Sequence, residues 1–272
     1  MSSFLKRVIS TLVVAPVLII ILLYTDPAVF KGLVWGVSLL AVAEFYRMIF
    51  PPEQKRKKRF GLFLAGLYGL LLLSSSSESR QIFLVPSMAV LAFAFVLLES
   101  NKGDGSLKEA VHELSFYFLG TFYLAGFTLF LAFVRELPEG LFWIFSLLLG
   151  TWINDSFSYF FGKLFGRHKM ASRISPGKTV EGFFGGFVGA GVAIALMQFL
   201  FHEPLTLVQS ILLVVLISVI GPIGDLAESL VKRSCDVKDS GQLLPGHGGM
   251  WDRIDALIFN APFVYWFALW VQ

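Results

Sequence analysis

Apolar positions along this chain come in long unbroken runs. They follow neither the three-or-four spacing of a soluble amphipathic helix nor the alternation of a half-buried strand. Nine runs can be marked, at residues 8–24, 28–46, 60–74, 82–98, 114–134, 141–161, 180–201, 205–223 and 254–271. Most approach the roughly 20 apolar residues that one helix needs to cross the hydrocarbon core of a bilayer, and the third is the shortest. The pattern predicts an all-α integral membrane protein of about nine transmembrane helices. Lys6 and Arg7 precede the first run as they would in a signal peptide. No small-residue cleavage site follows it, however, and "LYTDPAVF" leads straight into the next run, so it reads as a retained helix.

Composition agrees. Of 272 residues 56% are hydrophobic and 15% charged, against about 25% charged in soluble domains. The 29 phenylalanines and six tryptophans suit lipid-facing helices and interfacial belts. A single cysteine, Cys235, rules out an internal disulfide and a cysteine metal cluster. The net charge of +3 is small and says little until its distribution is known; the apolar runs make the lipid bilayer the expected partner, and no nucleic acid is expected.

Lysine and arginine resist translocation, so their placement orients the helices. With the N-terminus cytosolic and the C-terminus outside, only Lys31, Arg80 and Arg135 of the 22 basic residues fall on the far side. The expected location is the cytoplasmic membrane. Residues 1–140 then form a scaffold of N-terminal helices. Residues 141–272 form a catalytic region whose loops 162–179 and 224–253 face the cytosol.

The second of these loops concentrates the charge. Asp225, Glu228, Ser229, Lys232 and Arg233 fall at i, i+3, i+4, i+7 and i+8, one polar stripe on a helix, with Leu226, Leu230 and Val231 turned away. Gly221, Pro222 and Gly224 should kink or break the helix just before it. The plain alternative is a solvated helix extension. Acids at this depth usually have a partner, because a carboxylate in the hydrocarbon core costs roughly 2.5–3.5 kcal/mol on insertion scales. Asp252 and Asp255 flank Arg253 where the last apolar run begins. Asp225 and Asp252 thus lie at the ends of consecutive helices and suit a hard, oxygen-seeking cation such as Mg²⁺, with Glu228 and Asp255 in reserve. Between them, "PGHGG" at 245–249 offers lightly shielded amides to a phosphate, beside Lys232, Arg233, Lys238 and Arg253.

The loop at 162–179 follows Asn154 and Asp155, a polar pair inside an apolar run. Gly177-Lys178-Thr179 suggests a nucleotide P-loop, but position 172 is serine where that motif needs glycine, and no strand is expected before it. What remains is a basic loop feeding a helix N-terminus near Thr179, a place that favours an anion. Gly182/Gly186 and Gly185/Gly189 have the spacing of close helix packing.

Ser229, Lys232-Arg233, Lys238-Asp239, Gly241, Pro245, His247-Gly248-Gly249, Asp252-Arg253 and Asp255 together resemble the signature of the CDP-diacylglycerol synthases, or phosphatidate cytidylyltransferases. "SPGKTVEG" followed by "GG" resembles a second motif of that family. The two motif regions cover about 100 residues of the C-terminal half. The resemblance implies an integral-membrane enzyme that joins CTP to phosphatidic acid, releases pyrophosphate and requires Mg²⁺. A second cation and a homodimer through the membrane helices are left open. Taken with the reading of the loops, the candidates for catalysis are Asp225, Asp252, Lys232, Arg233 and Asp255, with metal ligands Asp225, Asp252 and Glu228. Ser175, Lys178, Thr179, Lys238, Asp239, His247, Gly248, Gly249 and Arg253 would hold substrate. No nucleophile–base pair is evident in the sequence and none is needed, because a phosphate monoester with a second pKa near 6 is largely dianionic at neutral pH. His247 accordingly reads as a phosphate or nucleotide contact. Two rivals remain: a CTP-dependent membrane lipid kinase, which would release CDP, and an anion transporter, which would place its charges near the bilayer midplane in repeated halves.

Overall fold

The apolar runs become helices, and polar residues at their ends supply the caps. In this computed structural model residues 16–74, 78–100, 106–203, 205–243 and 248–272 are described, with backbone alone over 78–83. Lys6, Arg7, Lys102, Pro245 and His247 lie outside the described residues. Helix α1 covers residues 16–24. Helix α2 runs Pro27–Ile49, with proline in its first turn and Asp26 accepting the Ala28 N–H at 2.7 Å. Helices α3 (Lys55–Ser74) and α4 (Glu78–Ser100) follow. Helix α5 (Leu107–Phe118) continues through a π-helical segment, Leu119–Gly126, into α6 (Phe127–Glu136) as one rod of 30 residues. The C-terminal half comprises α7 (Gly140–Phe165), α8 (Val180–Phe201), α9 (Leu207–Ser234) and α10 (Trp251–Val271).

Among the described residues five helical stretches are long and apolar enough to cross a membrane: Pro27–Ile49, Leu107–Glu136, Val180–Phe201, Leu207–Ser234 and Trp251–Val271. The others carry visible reasons for falling short. Helix α3 opens on five basic residues, the apolar part of α4 is Leu84–Ser100, and α7 holds Asn154 and Asp155. Large side chains such as Phe63, Phe184, Phe199 and Trp266 face outward, where a water-soluble bundle would place polar groups.

Two findings depart from the all-α expectation and the expected helix break. The loop after α7 forms a short antiparallel hairpin, β1 (Lys169–Ala171) with β2 (Ser175–Thr179), pairing Lys169 with Thr179 and Ala171 with Ser175. Strands of three and five residues leave no periodicity to read in the sequence. Helix α9 is also unbroken for 28 residues despite Pro222 inside it. Gly221 and Gly224 are buried against α10, so they serve close packing rather than a break.

The α7–α8 pair shows the same use of glycine. A Cβ on Gly189 would stand 2.6 Å from the Ile153 carbonyl oxygen, and one on Gly186 2.8 Å from Asn154 Nδ2. Polar groups join the helices at depth: Asn154 Nδ2 donates to Ser218 Oγ (2.9 Å) and Asn260 Nδ2 to Thr151 Oγ1 (3.0 Å). Such bonds tie α7 to α9 and α10 where no water competes. Ion pairs gather at the ends of the bundle. Lys31 meets Glu136 at one end, while Lys57–Glu113 (2.5 Å) and Arg56–Glu99 (2.9 Å) lie at the other.

Candidate active site

The acidic stripe of α9 faces inward. Glu228, Ser229 and Lys232 are buried, which a solvated helix extension would not produce. Helix α10 lies against that face because Gly224 lets it: a Cβ there would be 2.6 Å from the Asp255 carbonyl oxygen and 2.9 Å from the Phe259 ring. This approach brings Asp225, Glu228 and Asp255 together, each with a carboxylate oxygen within 4.8 Å of the others. Asp155 of α7 feels the charges of Asp255, Asp225 and Lys178.

Two lysines divide the negative charge. Lys178 reaches from β2 to Asp225 Oδ2 at 2.8 Å and donates to the Pro222 carbonyl at 3.3 Å. Lys232, its side chain only 10% exposed, bridges Glu228 Oε2 (2.8 Å) and Asp252 Oδ1 (2.6 Å). Asp252 Oδ2 accepts three further bonds: from Ser240 N (2.8 Å), Ser240 Oγ (3.0 Å) and Gly249 N (2.7 Å). Asp252 therefore organises the α9–α10 connection, and Asp255 takes the position nearest Asp225 and Glu228.

Glu44, near the C-terminal end of α2, completes the arrangement. Its Oε1 accepts from Met250 N (2.9 Å), and its Oε2 accepts from Trp251 N (3.0 Å) and Ser240 Oγ (2.9 Å). A carboxylate is thereby seated on the N-terminus of α10, where helix amides and dipole favour negative charge.

The oxygen-only donor set of Asp225, Glu228 and Asp255 fits a hard divalent cation. Glu228 Oε1 supports the fit. It is buried and has no hydrogen-bond partner among the described residues, a costly state for a carboxylate oxygen unless a cation meets it. Charge count points the same way: among the described residues, the ion pairs of Asp225, Glu228 and Asp252 come from Lys178 and Lys232, two cations for a group of four carboxylates with Asp255.

The family model of the cytidylyltransferase family matches residues 5–271. The chain belongs to the cytidylyltransferase family. A Bacillus subtilis (strain 168) protein named phosphatidate cytidylyltransferase is 35% identical over 273 residues, covering 96% of each chain. A Staphylococcus haemolyticus protein of the same name is 34% identical over 206 residues, covering 74% of this chain and 76% of its own. Another from Staphylococcus aureus (strain COL) is 42% identical over 135 residues, about half of each chain.

The remaining sequence-derived candidates divide by what they touch. Thr179 caps α8, accepting the Gly182 N–H at 3.1 Å, so its hydroxyl is already engaged. Ser175 pairs with Ala171 at the far end of the hairpin. Arg233 is exposed, and its Nη1 donates to the Val237 carbonyl at 2.7 Å. Lys238 and Asp239 are exposed on the connection, and Arg253 is exposed in the first turn of α10. Gly248 has φ +81°, a backbone that explains glycine there, and the Gly249 N–H already serves Asp252. Glu44 was not singled out from sequence. Its only signal there is an acid inside an apolar run, between Ala43 and Phe45.

Proposed function

We propose that the protein transfers the cytidylyl group of CTP to phosphatidic acid, giving CDP-diacylglycerol and pyrophosphate for phospholipid biosynthesis. The observation that carries this reading is the cluster of Asp225, Glu228 and Asp255 bracketed by Lys178 and Lys232, in a chain of the cytidylyltransferase family. Both substrates are anions, so the protein's task is to hold them together and offset their repulsion.

Asp225, Glu228 and Asp255 would hold Mg²⁺, which when bound neutralises phosphate charge developing in the transfer. Lys178, extended from the hairpin, is placed to exchange its contact with Asp225 for a substrate phosphate, and Lys232 sets the position of Glu228. Ser175, Arg233, Lys238, Arg253 and His247 are assigned to substrate phosphates and nucleotide. A phosphate oxygen of the lipid attacks the α-phosphorus of CTP as the bond from that phosphorus to the bridging oxygen breaks, and pyrophosphate leaves. The attacking dianion has no proton to lose, so no residue is assigned as a general base.

In this reading the chain crosses the membrane nine times with its N-terminus cytosolic and its C-terminus outside, and the active site opens on the cytosolic face. The basic residues of loops 162–179 and 224–253 support that orientation. The test is to incubate purified protein with CTP, phosphatidic acid and Mg²⁺ and identify both products. CDP-diacylglycerol with stoichiometric pyrophosphate is expected. Release of CDP with a newly phosphorylated lipid would replace this reading with the lipid kinase.

A further inference from the structure

Glu44 belongs to the N-terminal half and touches no residue of the carboxylate cluster, yet a continuous chain of contacts leads from it to that cluster. It is 4% exposed, and among the described residues no lysine or arginine forms an ion pair with it. Its charge is balanced by the amides of Met250 and Trp251. Packing leaves it little freedom, since a Cβ on Gly241 would stand 2.6 Å from Glu44 Oε1. The neighbouring Phe45 packs edge-on against Trp251, with ring centroids 5.6 Å apart.

Ser240 is the next link. Its Oγ stands 2.9 Å from Glu44 Oε2 and 3.0 Å from Asp252 Oδ2. A hydroxyl has one proton and cannot serve both carboxylates fully at once. While Glu44 holds that proton, Asp252 keeps its charge for Lys232, and Lys232 in turn fixes Glu228 Oε2. Glu228 Oε1 is left buried and without a hydrogen bond among the described residues. The order is Glu44, Ser240, Asp252, Lys232, Glu228, with every contact between 2.6 and 3.0 Å.

We infer that Glu44 is a positioning residue for the cytidylyl transfer: acting through Ser240, Asp252 and Lys232, it sets the Glu228 oxygen that a catalytic cation would meet. This rests on the proposed function. A carboxylate from α2 thereby makes the N-terminal helices part of the active site. It also occupies the α10 amides that a substrate phosphate would otherwise take, which directs the phosphates toward Lys178 and the hairpin.

The test uses Glu44→Gln and Ser240→Ala in the full-length protein in detergent. Glutamine keeps the size of the side chain but turns an N–H pair toward donors. With folding verified by gel filtration, Glu44→Gln should lower kcat by about 10- to 100-fold. KM for CTP should stay within about threefold, because the substrate-binding groups are untouched. Mn²⁺ affinity, read by electron paramagnetic resonance without substrate, should fall about tenfold, as when an outer hydrogen-bond partner of a ligand is removed. Ser240→Ala should shift both quantities in the same direction, and the double variant should fall short of the product of the single effects. Wild-type kcat and Mn²⁺ affinity in folded Glu44→Gln, or independent effects in the double variant, would overturn the inference. If Glu44→Gln does not fold, Ser240→Ala decides, and wild-type values in that variant overturn it. Failure of the wild-type protein to make CDP-diacylglycerol would count against the proposed function, while the Mn²⁺ measurement would still judge Glu44.

Discussion

Lys232→Met removes one ammonium group and keeps nearly the length and apolar surface of the stem. Its effect therefore isolates the charge. Lys232 is 10% exposed at its side chain, while Glu228 and Asp252 are 1% and 5% exposed, so solvent screens these contacts little. Removing one partner of a buried ion pair costs about 3–5 kcal/mol, because the remaining charge stays buried without compensation. The two contacts share one ammonium, so their costs are not summed. At about 2–4 °C per kcal/mol for domains of comparable size, the midpoint of thermal unfolding should fall by roughly 6–20 °C. Circular dichroism in detergent without divalent cations measures this. Mg²⁺ should then restore less stability to Lys232→Met than to the wild type, since nothing holds Glu228 Oε2 in place for the cation. Ligand at a hundredfold excess over its dissociation constant contributes about 2.7 kcal/mol. An unchanged unfolding midpoint without Mg²⁺ would refute the role of Lys232 as the compensating charge. Equal Mg²⁺ responses in both proteins would separate Glu228 from the cation site.

Asp255→Asn removes a proposed ligand and should abolish Mn²⁺ binding, whereas Asp252→Asn frees Lys232 and should weaken it about tenfold; equal loss in both would return Asp252 to the ligand set. Gly189→Leu forces a side chain against the Ile153 carbonyl and the Phe157 ring on α7, an overpacking worth about 1–3 kcal/mol. An unfolding midpoint equal to that of wild type would contradict the α7–α8 contact. Cys235, the only cysteine, stands half-exposed at the C-terminal end of α9. A membrane-impermeant maleimide should modify it in inverted vesicles and not in right-side-out spheroplasts; the opposite result would reverse the proposed orientation.

The helices of the C-terminal half were legible because unbroken apolar runs need no partner to be recognised. The glycine spacing of α8 was legible for the same reason: small residues at i and i+4 on an apolar helix mean close approach whatever lies opposite. The acidic stripe could be placed on one helical face. Which acid met which could not, because Asp252 and Asp255 lie three residues apart and both fit the approach of α9. Their roles separate only through contacts distant in sequence. Ser240 and Gly249 take Asp252, while Gly224 brings the backbone of Asp255 against α9. Glu44 lies 196 residues from Ser240 along the chain, and no local pattern could reveal that bond. The hairpin was missed because its strands are too short to show alternation. Pro222 misled because proline usually ends a helix, yet here its carbonyl accepts from Lys178 inside a continuous α9.

Helix length ties these features to the membrane in the nine-crossing reading. At 1.5 Å per residue, the 28 residues of α9 extend about 42 Å, well beyond a hydrocarbon core of about 30 Å. The 26 residues of α7 extend about 39 Å, whereas the 22 of α8 and 21 of α10 are close to the length of one crossing. The surplus turns of α7 and α9 therefore emerge beside the N-termini of α8 and α10. Asp225 is the nineteenth residue of α9 and Asp255 the fifth of α10. Both fall about one turn inside the boundary that those helix ends mark. A carboxylate at that depth is too dry to be left uncompensated and close enough to water for a nucleotide to approach. It is also the level at which a lipid presents its phosphate. The concentration of charge between α9 and α10 follows from that geometry. The ends of α7, α8, α9 and α10 meet there, so acids, lysines and a helix N-terminus are held together at the depth where a water-borne anion and a membrane-borne anion can touch.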